Sequence, residues 1–391
     1  MKKLVLFLWA LMAMLHAKAQ DYKLEKTIYG NIDQFSAGIF TSPSCIAVDD
    51  SLNIYLFDNG SYSVLKFDAT GTFLFRWGSV GIEDTQFGFV DGIAVDKNFQ
   101  VYVLENSMTR VKQFNSNGKF IKKWGSKGNA NGQFNTPTSI CVDNIGFLYI
   151  GDRGDNSISK FTTEGVFIKK WGSSGITDGQ FKPITGVAAD AFNNIYAVSW
   201  FGNRIHKFDN NGKLLLSWGN SGLNDGEFNL PYAIGVELSG NVIVSDQQNN
   251  RMQKFSPMGE YITQWSEQGT LPGQVKHPFT ATVDKKNRVY VLDGAQRIQI
   301  FTPSYILSMP SHSQSKATFE FNNPVIGELT LTLEANTSAI GLFDLQGQEL
   351  LRVENPTQES IKLPLHNYSS GTYMLKITMR SGIHMYKLLK E

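Results

Sequence analysis

The chain is poor in cysteine, poor in histidine and almost without charge imbalance. Two cysteines in 391 residues exclude a disulfide-stapled scaffold. Six histidines leave little material for a histidine metal centre. Lys and Arg number 36 against 35 Asp and Glu, so no strong positive field recruits nucleic acid. Beyond the N-terminus no apolar stretch reaches the ~18 residues that a membrane helix needs. Charged residues make up 18% and hydrophobic residues 41%, which supports a packed core and excludes global disorder. What the chain has in quantity is glycine (36) and aromatics (27 Phe, 14 Tyr, 7 Trp), a composition of short strands and tight turns.

The first residues read as an export signal. Lys2 and Lys3 precede an uncharged run from Leu4 to Leu15, and Ala17 and Ala19 are small residues placed for cleavage before Gln20. Residues 1–19 are therefore expected to be a signal peptide. Their removal takes away three lysines and leaves 33 bases against 35 acids. The mature chain is expected outside the cytoplasm, with no helical membrane anchor.

A period of 47 residues organises most of the rest. Trp77, Trp124, Trp171, Trp218 and Trp265 are each 47 apart; Gly follows the first four and Ser266 the fifth. Phe67, Phe114, Phe161, Phe208 and Phe255 keep the same spacing, and Phe301 comes one residue early. Asp49, Asp96, Asp143, Asp190, Glu237 and Asp284 form a third column. Each unit reads as four strands. The innermost alternates small and large residues (Cys45 and Ala47, Gly92 and Ala94), as a crowded centre requires. Turns such as Asn117-Gly118 and Asn211-Gly212 join the third strand to the fourth. Six such units predict a six-bladed β-propeller. The last unit stops at Phe301 without a fourth strand. A surplus strand at Tyr22–Gly30 is expected to complete it and to remove the open edge.

Two segments, "SDQQNNRMQKF" (Ser245 to Phe255) and "WGSSGITDGQF" (Trp171 to Phe181), resemble NHL repeats. The resemblance spans roughly residues 22–302. It implies the propeller fold and little about function, since NHL propellers include RNA binders, protein-binding modules, sensors and a peptide-amidating lyase. The period ends at Phe301. Residues 303–316 are rich in Ser and Pro and read as a linker. Residues 317–391 carry short strand patterns, including a hairpin turning at Gln346-Gly347. Asn323-Pro324, Asp344-Leu345-Gln346-Gly347 and Ser370-Gly371-Thr372-Tyr373 resemble the C-terminal sorting domain of type IX secretion cargo in Bacteroidetes. That resemblance implies export across the outer membrane after a periplasmic intermediate, with the secretion machinery as partner of residues 317–391. The expected fold is thus all-β: a six-bladed NHL-type propeller over residues 20–302, then a small immunoglobulin-like β-sandwich.

Motifs for catalysis are few. No G-x-S-x-G elbow, H-E-x-x-H pair or P-loop occurs. The metal-bound histidines of the peptide-amidating relatives have no counterpart, since only His206 and His277 lie in the repeats. Beside Lys112, Lys160 and Gln253, His206 is expected at the surface. Asp58, Glu105, Asp152, Asp246 and Asp293 form a column broken by Ser199, and Arg110, Arg204, Arg251 and Arg297 accompany it. The expected role is loop fixing rather than cation binding. Cys45 and Cys141 fall in small-residue columns and are expected to be packing groups.

Inter-blade loops and second-to-third loops share one face, the natural place for a ligand. They hold about 13 acids against about 8 bases, which repels phosphates. Trp200 and Phe201 break columns otherwise filled by small or polar residues, and an exposed Trp there would be a binding hot spot. The expected ligand surface is Trp200, Phe201, Arg153, Tyr232 and Phe279, with Asp91 at the channel mouth. No catalytic residue, metal or cofactor is expected. The expected function is a secreted or cell-surface module binding a protein, peptide or glycan. The rival is an extracellular lyase or hydrolase with a cation in the channel mouth.

Overall fold

The computed structural model describes residues 22–30, 38–303, 327–333, 337–343, 349–358, 360–379 and 382–390. The expected signal at 1–19, the linker beyond residue 303 and the turn at Gln346-Gly347 lie outside the described residues. The chain divides into two units, Met1–Leu307 and Ser308–Glu391. Apart from a three-residue helical turn at Gln247–Asn249, every regular element described is a strand.

In the first unit the period-two pattern produces antiparallel strands, and the turn chemistry sets their length. Pro43–Val48, Ile54–Asp58, Ser63–Phe67 and Phe73–Trp77 pair in chain order into one four-stranded sheet. The same arrangement recurs from Val90, Pro137, Ile184 and Pro231. A sixth sheet is made of Thr282–Val283, Val289–Asp293 and Arg297–Pro303, and its outer strand is Tyr22–Tyr29. That strand runs antiparallel to Arg297–Pro303, from the Tyr22–Pro303 pair to Tyr29–Arg297. The apolar clusters each join two neighbouring sheets. One holds Tyr55 and Phe57 with Val101 and Val103; another holds Ile54 and Leu56 of the first sheet with Tyr290 and Leu292 of the last. The sheets therefore close a propeller-like ring around a central channel.

Three devices recur in the repeats: the first ties each inner strand to the second strand of its own sheet, and the other two fasten sheet to sheet. At each Asp column, Asp49, Asp96, Asp143, Asp190 and Asp284 accept a hydrogen bond from the tyrosine six residues on, at 2.9–3.2 Å. Lys66, Lys160 and Lys207 lie over those tyrosine rings and donate to carbonyls of the following sheet, Ser116, Asn210 and Pro257, at 2.8–3.1 Å. The repeated tryptophans pack on the next sheet's turn. Gly212 sits there at φ +79°, and a Cβ on it would come within 2.6 Å of Trp171.

The fifth sheet departs from the pattern, and the N-terminal strand compensates. Ile243 stands where a tyrosine is due, and Glu237 replaces Asp. Tyr22 supplies the missing ring: it is fully buried, stacks on Trp265 at 4.3 Å, and donates its hydroxyl to Glu237. On the other side Ile28 lies against Gly71 of the first sheet, and Lys26 donates to the Thr70 carbonyl.

His206 is fully buried, not at the surface. Its column in the third strand is Leu65, Lys112, Ser159, Gln253 and Gln299, all buried; Lys160 lies one residue further on. Its longer polar members, Lys112, Gln253 and Gln299, hold carbonyls of the inter-sheet loop above, as Gln253 holds that of Glu227 at 2.8 Å. His206 instead sets its ring edge-on to Phe181, with Nδ1 2.8 Å from the Ser217 hydroxyl. Burial pushes its pKa down to about 4.

The second unit has two sheets. Glu349–Glu354, Thr337–Phe343, Gly371–Met379 and Gly382–Lys390 pair in that order, and Glu328–Thr332 pairs with Ser360–Pro364. Leu329, Leu331, Ile340, Leu342, Leu375 and Ile377 form their common core. Tyr373, from the Ser-Gly-Thr-Tyr motif, is buried there and donates to the Ser369 carbonyl at 2.7 Å.

Two outcomes follow from these contacts. Gly212→Ala should cost roughly 2 kcal/mol, from strain at positive φ and overlap with Trp171, measured by urea denaturation. His206 has a folded pKa below its unfolded value of 6.5, so its neutral ring adds stability above that pH. The stability is lost as pH falls from 6.5 toward 4. His206→Gln, the residue found at position 253, should flatten that slope by roughly 1–3 kcal/mol between neutrality and pH 4.

Candidate functional site

The inner strands line a central cavity of about 520 Å³. At one mouth two tiers of side chains follow the ring. The lower tier comes from the start of each inner strand: Ser44, Asp91, Thr138, Thr185, Tyr232 and Phe279. The upper tier follows the end of each second strand: Asn59, Asn106, Arg153, Trp200, Gln247 and Gly294. Its backbone is fixed by bonds to the segment entering the inner strand, such as Arg153 N–H to Thr136 O at 3.0 Å and Trp200 N–H to Pro183 O at 2.8 Å.

The first half of the ring is polar. Asn59 clamps Val90, donating to its carbonyl at 3.1 Å and accepting from its N–H at 3.0 Å. Asn106 donates to the Asp91 carboxylate at 2.6 Å. Burial pushes the Asp91 carboxyl above its ordinary range, against the pull of Asn106 and the Arg153 charge. Burial also raises the Tyr232 hydroxyl, and the Asp91 charge adds to this from across the channel. Thr185 is satisfied by the Tyr232 carbonyl at 2.7 Å. The Arg153 guanidinium, the Tyr232 hydroxyl and the Gln247 carboxamide make no hydrogen bond or ion pair to any described residue.

The second half is aromatic. Trp200 stacks on Phe201 with centroids 4.3 Å apart and meets Tyr232 edge-on at 6.2 Å. Phe279 is half-buried against the cluster around Ile46. Trp200 is not the exposed platform its column position implies. It is half-buried, its indole N–H is enclosed, and Phe201, 53% exposed, covers its face. A one-off bulky residue in a repeat folds down onto the neighbouring sheet because apolar area is stabilised by leaving water. The structure thus brings Asp91, Tyr232 and Phe279 into the mouth, sets Arg153 at its rim, and places Trp200 as the support of Phe201. Asn106 and Gln247 also belong to the mouth. Their signal was a column, Asn59 to Gly294, in which no two neighbouring sheets beyond the first pair share a chemistry.

The acidic column serves the loops. Asp58 accepts the Thr41 and Ser42 N–H groups at 3.0 and 2.6 Å, and Asp152 those of Asn135 and Thr136 at 2.6 and 2.8 Å. Ser199 does the same for Lys182 at 2.9 Å, so the serine keeps the column's role without its charge. Arg251 and Arg297 pair with Asp246 and Asp293, whereas Arg204, facing Ser199, turns to Asp178 at 2.8 Å. Among the described residues no three His, Cys, Asp or Glu side chains cluster as a metal site requires. Cys45 and Cys141 are free, and burial raises both thiols, which disfavours the reactive thiolate.

Residues 321–391 match the secretion system C-terminal sorting domain family. This indicates export by type IX secretion to the cell surface or the extracellular space. Among the described residues no helix is long and apolar enough to cross a membrane. Similar solved structures include virginiamycin B lyase from Staphylococcus aureus, 13% identical over 72% of this chain and 99% of that one, with a TM-score of 0.52. A gluconolactonase from Xanthomonas campestris is 15% identical over 72% and 91%, with a TM-score of 0.51. A streptogramin B lyase is 15% identical over 67% and 79%, with a TM-score of 0.50. At these identities the likeness is one of fold. A comparison with curated proteins gives no match.

A buried carboxylate that resists ionisation costs stability at neutral pH. Asp91→Asn should therefore leave the melting temperature at pH 7 unchanged or raised, as differential scanning calorimetry will record. A clear fall would make Asp91 a structural group instead.

Proposed function

We propose that this chain is a secreted or cell-surface six-bladed propeller of NHL type that binds an extracellular ligand at the channel mouth. Its signal peptide spans residues 1–19, and the chain passes through the periplasm. A linker at 303–316 joins the propeller to an immunoglobulin-like sorting domain at 317–391 that engages the type IX machinery. The observation that carries the binding reading is the mouth itself: Arg153, Tyr232 and Gln247 present polar heads that make no hydrogen bond or ion pair to any described residue, beside a partly exposed aromatic wall. A polar group left open at a concave mouth is one that a ligand can satisfy. The mouth has one carboxylate and no histidine, too little for paired acid–base work, which favours binding over catalysis.

Purified chain on glycan and protein arrays tests this. Phe201→Ala and Tyr232→Ala should lose whatever the unaltered chain retains, by about tenfold or more each. Phe201 is the cleaner probe, because truncating half-buried Trp200 also costs packing. Hits that survive both substitutions would move the ligand off this mouth. A chain ending at Ser308 should keep the propeller's melting transition but fail to reach the cell exterior. Normal export of that shortened chain would refute the assigned role of residues 317–391.

A further inference from the structure

The geometry points to the ligand's class, and this rests on the binding reading above. We propose that the mouth takes a pyranose ring bearing a carboxylate, a hexuronate, either free or as the terminal residue of a glycan. Four observations converge on it. The Arg153 guanidinium stands at the rim, near enough to act on the Asp91 charge but without a hydrogen bond or ion pair to any described residue, and a planar fork of this kind pairs best with a carboxylate. Asp91, held by Asn106 and raised by its burial, gains from further hydrogen-bond donors, which sugar hydroxyls supply. The Gln247 carboxamide and Tyr232 hydroxyl both donate and accept, as vicinal hydroxyls demand. Phe201, stacked on Trp200, offers a flat face to the ring's C–H side, with the Tyr232 edge completing the wall.

The division of the mouth is what selects this class. One arc is charged and hydroxyl-seeking, the other aromatic, and a pyranose has one polar rim and one apolar face. Net charge limits the ligand further. The loops around the mouth hold more acids than bases, so a long polyanion is repelled while one carboxylate placed at Arg153 is not.

Isothermal titration of the full chain with D-galacturonate and D-glucuronate, against the methyl ester of each and against galactose and glucose, is the test. At least one acid sugar should bind about tenfold more tightly than its neutral counterparts. Arg153→Ala should abolish that preference, Arg153→Lys should restore part of it, and Tyr232→Ala should weaken acid and neutral sugars alike. A uronate trimer that binds better than the monomer identifies a glycan end as the source; a monomer that binds better identifies the free sugar. Equal affinity for acid and ester, or a preference untouched by Arg153→Ala, overturns the class while leaving the site in place. Absence of binding by both acids overturns the class too, and the arrays with Phe201→Ala then decide the site separately. Tight uronate binding that ignores both Tyr232→Ala and Phe201→Ala refutes the site itself.

Discussion

Everything in the larger unit depends on the seating of one eight-residue strand, Tyr22–Tyr29. A ring of sheets has no stable open form, because the last sheet would present an unpaired edge and an uncovered apolar face. The strand pairs along Arg297–Pro303, stacks Tyr22 on Trp265 of the sheet before, and sets Ile28 and Lys26 against the turn of the first sheet. Three sheets are tied by one segment. Its sequence is fitted to that task, since Tyr22 occupies the gap that Ile243 leaves and reaches a glutamate rather than an aspartate.

With closure secured at the seam and by repeated Lys–carbonyl and Trp–Gly contacts between neighbours, several positions at the channel mouth, Arg153, Tyr232 and Gln247 among them, are left without a structural bond among the described residues. The inner-strand starts and the residues after each second strand touch water on one side. They hold Ser, Asp, Thr, Tyr and Phe in one tier and Asn, Arg, Trp, Gln and Gly in the other. This is the physical reason a single scaffold presents an aromatic arc opposite a polar one. The lyases and lactonase at 13–15% identity share the ring with this chain.

The architecture was legible because packing between repeats leaves matched changes in the sequence. Trp-Gly becomes Trp-Ser only at Ser266, and there Val275 replaces the phenylalanine that would strike a Cβ; at Gly219 that distance to Phe228 is 2.6 Å. The site was less legible. A column states where a residue lies along a strand, not whether a loop folds over it, so His206 reads as a surface group although the loop above buries it. Trp200 reads as exposed because nothing in its own column predicts that Phe201 will cover it. The opposition of Asp91 and Tyr232 joins residues from opposite sides of a ring, and no local pattern encodes it.

The pairing of Tyr22 with Pro303 also sets an order of events. The strand that finishes the ring is synthesised first, and its partner comes 281 residues later. Until then it is an amphipathic segment with no sheet to join, and the nascent sheets have no terminus to their row. Local hairpins within each repeat form early, since their loops are short, while the closing pair bears the full entropy of a long loop. Folding of this chain is therefore gated by its slowest and longest-range contact. Until that contact forms, the sixth sheet lacks its outer strand and the ring its seam.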